Sequence, residues 1–196
     1  MLAILIAAAL SSSDELFPEA GTFAGAFATG IPYLGIGEVA YGVTDRFAIG
    51  AVGGVTPTTV GAGLRLRGVL LEKGRDRLVL GVPVLYYPAT SGLGNEPWLL
   101  TMPSMLLERR FETGSKIHIG AGIAAASCLD ALVGEKSGHG FMGGVWETVT
   151  VGAATRMGGF TGFADVTLLF SGLKIAGKDW IGGPPVVLTL GVRRGF

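Results

Sequence analysis

Few residues of this chain are of a type that could do chemistry, and their spacing decides which chemistry is open to them. Two histidines stand far apart: His118 sits mid-segment in "KIHIG" and His139 in the glycine-rich stretch "KSGHG". General acid–base work needs a positioned set, so isolated histidines of this kind read as structural or solvent-exposed. Asp130, Glu135 and His139 share one stretch and offer donors for a divalent ion, yet a solvated loop is the simpler reading, and no metal is expected. Cys128 is the single cysteine, which excludes an internal disulfide and any multi-cysteine metal site. A small apolar packing role is expected for it. The sequence has no G-x-S-x-G elbow, H-E-x-x-H pair or EF-hand loop.

Two stretches imitate a dinucleotide fingerprint, "GIGEVA" at 35–40 and "GAGIAAA" at 120–126. That chemistry needs a helix N-terminus after the glycines and an acidic residue about 20 positions on. The first stretch is followed by a turn and another strand-like segment, and the second lies among hairpin-like segments. With 34 glycines in the chain, chance matches are expected. No nucleotide and no other cofactor is expected, and catalytic residues are assigned to none of these groups.

What remains is charge. Most charged residues, among them Asp45, Arg46, Glu72, Lys73, Arg75, Asp76, Arg77, Glu108, Arg109, Arg110, Glu112, Lys116 and Arg156, lie at or beside short turn-like connections. Glu38, Arg65, Arg67, Glu147 and Asp165 stand mid-segment instead. Three acids and two bases nearly cancel, as charges must when they are buried together. They are expected to form a network facing the interior of a barrel; the alternative is the water-facing side of a soluble sheet.

The elements that must position these charges follow from hydropathy. Hydrophobic residues make up 49% of the chain and charged residues 15%, well under the usual figure of about 25%. Mean hydropathy is +0.54. Net charge is zero, so nothing electrostatic points to nucleic acid. Length suits a single domain. Apolar, glycine-rich segments recur at 21–29, 32–41, 46–54, 60–71, 77–87, 98–110, 116–127, 141–155, 160–170 and 185–194. Each is about the length of a tilted strand that crosses a membrane.

Within the segments apolar residues alternate. In "VGAGLRLRGVLL", Val60, Ala62, Leu64 and Leu66 share one side, while Gly61, Gly63, Arg65 and Arg67 share the other. In "RLVLGVPVLYY" both sides are apolar. In "FMGGVWETVTVGAA", Glu147 shares parity with Val145, Val149 and Val151, so one set is misplaced or a bulge intervenes. Aromatics cluster near segment ends, at Tyr33, Tyr41, Phe47, Tyr86, Tyr87, Trp98, Phe111, Phe141, Phe160, Phe170 and Phe196, as interfacial girdles would require.

Connections after segments two, four, six and eight are short ("GVTD", "EKGRD", "ETGS", "RMGG"). Those after five, seven and nine are long. An alternation of short and long connections is the layout of an outer-membrane barrel. The expected fold is therefore all-β, a closed antiparallel up-and-down transmembrane β-barrel of about ten strands, with 8–12 allowed. Residues 1–13, apolar and then small, read as a signal peptide without a basic leader, and 14–196 as one barrel domain. The last strand ends on Phe196 with Val192, Leu190 and Leu188 on the same side.

The chain resembles the small outer-membrane β-barrel proteins of Gram-negative bacteria. The likeness is carried by the signal-like Leu2–Ser13, the hairpin "AYGVTDRFAIG" at Ala40–Gly50 and the terminal "VVLTLGVRRGF". The resemblance implies residence in the outer membrane, contact with its lipids and delivery by the barrel insertion machinery. That machinery would read Phe196, Val192, Leu190 and Leu188, with Arg194 a departure from the apolar pattern. Some members are surface proteases using an Asp pair and a His–Asp pair, and others lipid A deacylases with His-x-Ser. Neither adjacent motif occurs here. The implied function is structural, or narrow-pore passage of an unidentified small solute through a polar lumen. The alternatives are an outer-membrane enzyme acting on lipid or peptide and a soluble barrel binding an apolar ligand.

Overall fold

The computed structural model describes residues 17–31, 34–55, 60–88, 97–128, 143–174 and 186–196. The expected signal segment lies outside these residues, as do Tyr33, Asp130, Glu135, His139 and Phe141. Among the described residues there are eleven strands: β1 (Phe23–Ile31), β2 (Gly35–Thr44), β3 (Phe47–Val55), β4 (Val60–Lys73), β5 (Asp76–Tyr87), β6 (Trp98–Thr101), β7 (Ser104–Arg110), β8 (Lys116–Cys128), β9 (Gly143–Met157), β10 (Phe160–Lys174) and β11 (Val186–Gly195).

β6 and β7 both pair with β5 on one side and β8 on the other, so they are consecutive pieces of one stave. The break falls at Met102–Pro103, where proline has no N–H to give the ladder. Its carbonyl still accepts from the Ile123 amide at 3.0 Å. Each stave pairs antiparallel with its sequence neighbours, and β1 closes on β11. The result is a closed, up-and-down, ten-stave barrel, which is the expected fold class.

Each stave coincides with one of the segments marked by hydropathy. Sharp reversals at the short-turn end use Gly74, Gly114 and Gly158 at φ between 62° and 78°, a region that other residues avoid. The β1–β11 seam reaches the last residue: the Phe196 amide donates to the Phe23 carbonyl at 2.8 Å. The seam thus holds the bulky aromatic Phe196 against β1.

Ion pairs cluster at the short-turn end of β4, β5 and β7. Arg109 grips Asp76 through Nε and Nη2 at 2.7 and 2.8 Å, and Arg77 and Arg75 meet Glu72 and Glu112. Being exposed, such pairs contribute little to stability.

The two faces of the wall are inverted relative to a water-soluble sheet. On β4, Arg65 and Arg67 are 1% and 2% exposed, while Leu64 and Leu66 are 56% and 42% exposed. The same parity runs around the barrel. Phe23, Phe27, Ile49, Val84, Leu107, Ile119, Val151 and Leu190 point outward, and Glu38, His118, Thr150, Asp165 and Thr189 point inward. Most end-of-segment aromatics sit on the outward face, including Tyr41, Phe47, Tyr86, Phe111, Phe160, Phe170 and Phe196. Tyr87 and Trp98 depart from the girdle expectation: they are directly paired across β5 and β6, and both are buried inside. Tyr87 shares the inward side of β5 with Val79 and Leu85, all buried, and so β5 is apolar on both sides.

Candidate functional site

The polar interior is assembled from two clusters built on one geometric device. In the first, Glu38 projects inward from β2 and Arg65 and Arg67 from β4, with β3 lying between. β3 opposes the two arginines with Gly50 and Ala48. A Cβ on Gly50 would stand 2.7 Å from the Glu38 Oε1 atom, so a larger residue would occupy the space through which the carboxylate reaches. Across that gap Arg67 grips both carboxylate oxygens, Nη2 donating to Oε2 at 2.8 Å, and Arg65 Nη1 approaches Oε2 at 3.1 Å. A planar guanidinium fork matches a carboxylate in this bidentate way. The three side chains are nearly inaccessible, with Glu38 5% exposed.

In the second cluster the partners again stand on alternate staves, here in register. His118 on β8, Gly152 on β9 and Asp165 on β10 lie in one cross-strand row. The His118 Nε2 and Asp165 Oδ1 atoms are 2.9 Å apart, directly over Gly152. The contact is a close approach of charge and imidazole without the angles of a hydrogen bond. Glu108 on β7 extends the row on the other side of His118, its carboxylate held by Arg110 Nε at 2.8 Å and by Lys116. One row further along, the Thr150 and Thr167 hydroxyls are 2.8 Å apart and buried. In both clusters, then, partners on alternate staves meet over a small residue on the stave between them.

Leu85, Tyr87, Leu100, Met102 and Leu106 line the interior along β5 to β7, all of them fully buried or nearly so. Buried apolar side chains and buried charged clusters thus share the interior of the barrel. His118 and Asp165 have side chains 0% and 1% exposed, so the pair is sealed into the wall.

Four of the five mid-segment charges thus face inward: Glu38, Arg65, Arg67 and Asp165. The structure brings the first three together and sets Asp165 with His118 instead. Glu147 is a correction to the expected network. It is exposed on the outward row with Ile123 and Phe170, while Trp146 and Thr148 on either side of it point inward. The reason is parity: Val145, Val149 and Val151 belong outside, and Glu147 goes with them. The bulge is in the partner strand, between Phe170 and Gly172 of β10.

Phe196, Val192, Leu190 and Leu188 all point outward. Arg194 shares that face, its guanidinium 5.2 Å from the centre of the Phe160 ring and 5.8 Å from that of Phe196. By sequence His118 is a lone histidine and Glu108 a charge beside a turn; in the fold both stand in the row of Asp165. Counting inward residues from each short turn would have put both on the row of Asp165. Among the described residues no group of three His, Cys, Asp or Glu is placed to hold a metal ion. No protein-family model matches the chain, and no curated protein matches it.

Proposed function

We propose that this chain is a bacterial outer-membrane β-barrel with a structural role, its interior closed by its own side chains. One observation carries the reading: the wall turns leucine, isoleucine, valine and phenylalanine outward and buries glutamate, arginine, histidine and aspartate inside. Water on the outside would reverse that preference, whereas hydrocarbon on the outside requires it. A closed barrel also satisfies its backbone groups internally, as a lipid environment demands. Among the described residues no helix is long and apolar enough to cross a membrane, so a crossing would be made by the strands.

The polar clusters favour one second reading, a narrow path for small solutes along the Glu38–Arg67 and His118–Asp165 side of the lumen. An enzyme on this site would need the His118–Asp165 pair to reach its substrate, and both side chains are sealed.

The test is fractionation of cells expressing the full chain, followed by SDS electrophoresis with and without boiling and flotation with liposomes. The expected result is a band in the outer-membrane fraction that shifts on heating and protein that floats with lipid. A soluble band with no shift overturns the membrane reading. In planar bilayers the structural reading expects no discrete conductance steps; steady small steps would replace it with the narrow pore.

A further inference from the structure

Most of the outward wall carries large apolar side chains, but in one patch across β1 to β4 the outward positions are small. Gly25 on β1, Gly37 on β2, Ala51 and Gly53 on β3 and Ala62 on β4 adjoin one another. Phe27, Gly37, Gly53 and Ala62 form one cross-strand row, and Gly25, Val39 and Ala51 the next. These rows run across the strands, so the depression cuts obliquely over the barrel. The Phe27 ring leans away over Gly35, and the Phe196 ring lies against Gly25. Between them is an open, almost wholly apolar groove of about 630 Å³. A Cβ built on Gly37 would meet nothing within 4 Å, so among the described residues no side chain fills the groove there.

Arg194 stands at the end of the groove nearest the chain terminus, directly opposite Gly25 in the ladder. A guanidinium on an outward wall is tolerated best close to a membrane interface, and Arg194 is beside the short-turn end. Phe160 and Phe196 hold it through their ring faces, which leaves its N–H edges to meet an anion.

Resting on the membrane reading, we propose that the groove binds one phospholipid with an anionic headgroup, an acyl chain in the glycine trough and the phosphate on Arg194. A flexible hydrocarbon chain fits a trough floored by glycine and alanine, and the volume lies within the range of about 300–1,000 Å³ typical of small-molecule sites. Charge complementarity selects the lipid over a second copy of the chain. A second barrel would press apolar side chains on Arg194 and strip its water without supplying an anion.

The test uses the full chain purified in detergent, exposed to phosphatidylglycerol or to zwitterionic phosphatidylcholine, with bound lipid counted by native mass spectrometry. Wild type is expected to retain one phosphatidylglycerol per barrel in preference to phosphatidylcholine. R194Q should lower phosphatidylglycerol retention about tenfold and abolish the preference, since a charge-assisted fork is lost. G37L fills the trough and should lose both lipids while keeping the heat-shifted band that reports a folded barrel. Equal retention of the two lipids by wild type, or unchanged retention in R194Q and G37L, overturns the groove proposal, as does a lipid-free mass of two chains. Protein that neither floats with liposomes nor shifts on heating overturns the membrane reading and the groove together; protein that does both without lipid preference overturns the groove alone.

Discussion

The Gly152→Ala variant is expected to lose several kcal/mol of barrel stability, on the order of 3 kcal/mol, although it adds a single methyl group. That methyl would stand 1.8 Å from the Asp165 Oδ1 atom and 2.4 Å from His118 Nε2. Both atoms are ends of side chains, so the strands can remain in register, but only if the two groups swing apart. The cost is then the separation of a buried pair inside a packed wall, where neither partner can turn to water. The temperature at which the unboiled SDS band converts to the boiled position measures it. In the double variant Gly152→Ala with Asp165→Ala, the methyl no longer meets a carboxylate, and its added cost should fall to well under that of the single variant. A methyl at the outward-facing Gly53, where the nearest atom would be 3.6 Å away, is the control and should leave the conversion temperature within a few degrees of wild type. Equal losses at Gly152 with and without Asp165 would show that the pair has no part in the effect.

Removing the carboxylate from the first cluster should cost as much or more. Glu38→Ala takes away the group that the Arg65 and Arg67 guanidiniums share and leaves two cations side by side in the wall. Breaking a buried charge pair by deleting one partner costs about 3–5 kcal/mol. Replacing all three by apolar residues of similar size, as in the triple variant E38M/R65M/R67L, should recover most of that loss, because a well-packed apolar set is often no less stable than the ion cluster it replaces. The urea midpoint of the barrel in detergent decides the matter. A triple variant as unstable as Glu38→Ala would mean that Glu38 supports the wall through its size and shape, and that charge pairing is secondary.

How much of this was legible beforehand depends on how local each feature is. Strand identity, turn placement and the parity of β4, β10 and β11 follow from residues within a few positions of one another. The side-chain period of two and the left-handed glycines of the turns are properties of the chain itself. The inward set Glu38, Arg65, Arg67 and Asp165 could be read in this way. Glu147 could not: its parity put it with three valines, and only the ladder between β9 and β10 shows that the valines govern and the bulge lies across from it. The β6–β7 break at Pro103 was visible as a proline, but its meaning was not, since a proline ends a strand or merely interrupts it according to whether both neighbours continue past it.

The sequence by itself determined a barrel of about ten alternating staves, its short and long ends, and a terminal aromatic that belongs to the closing strand. Only the tertiary structure decided who meets whom inside. His118 and Asp165 are 47 positions apart, and Glu38 and Arg67 are 29 apart. Each pair is joined by the register of two successive ladders and by the small residue on the stave between them. Register is a sum over turns and bulges along the whole wall, and a shift of one residue would turn every partner to the opposite face. The same holds for the outward groove, where five small residues from four strands adjoin only because their ladders align, with Arg194 reaching its end across the seam that closes the barrel.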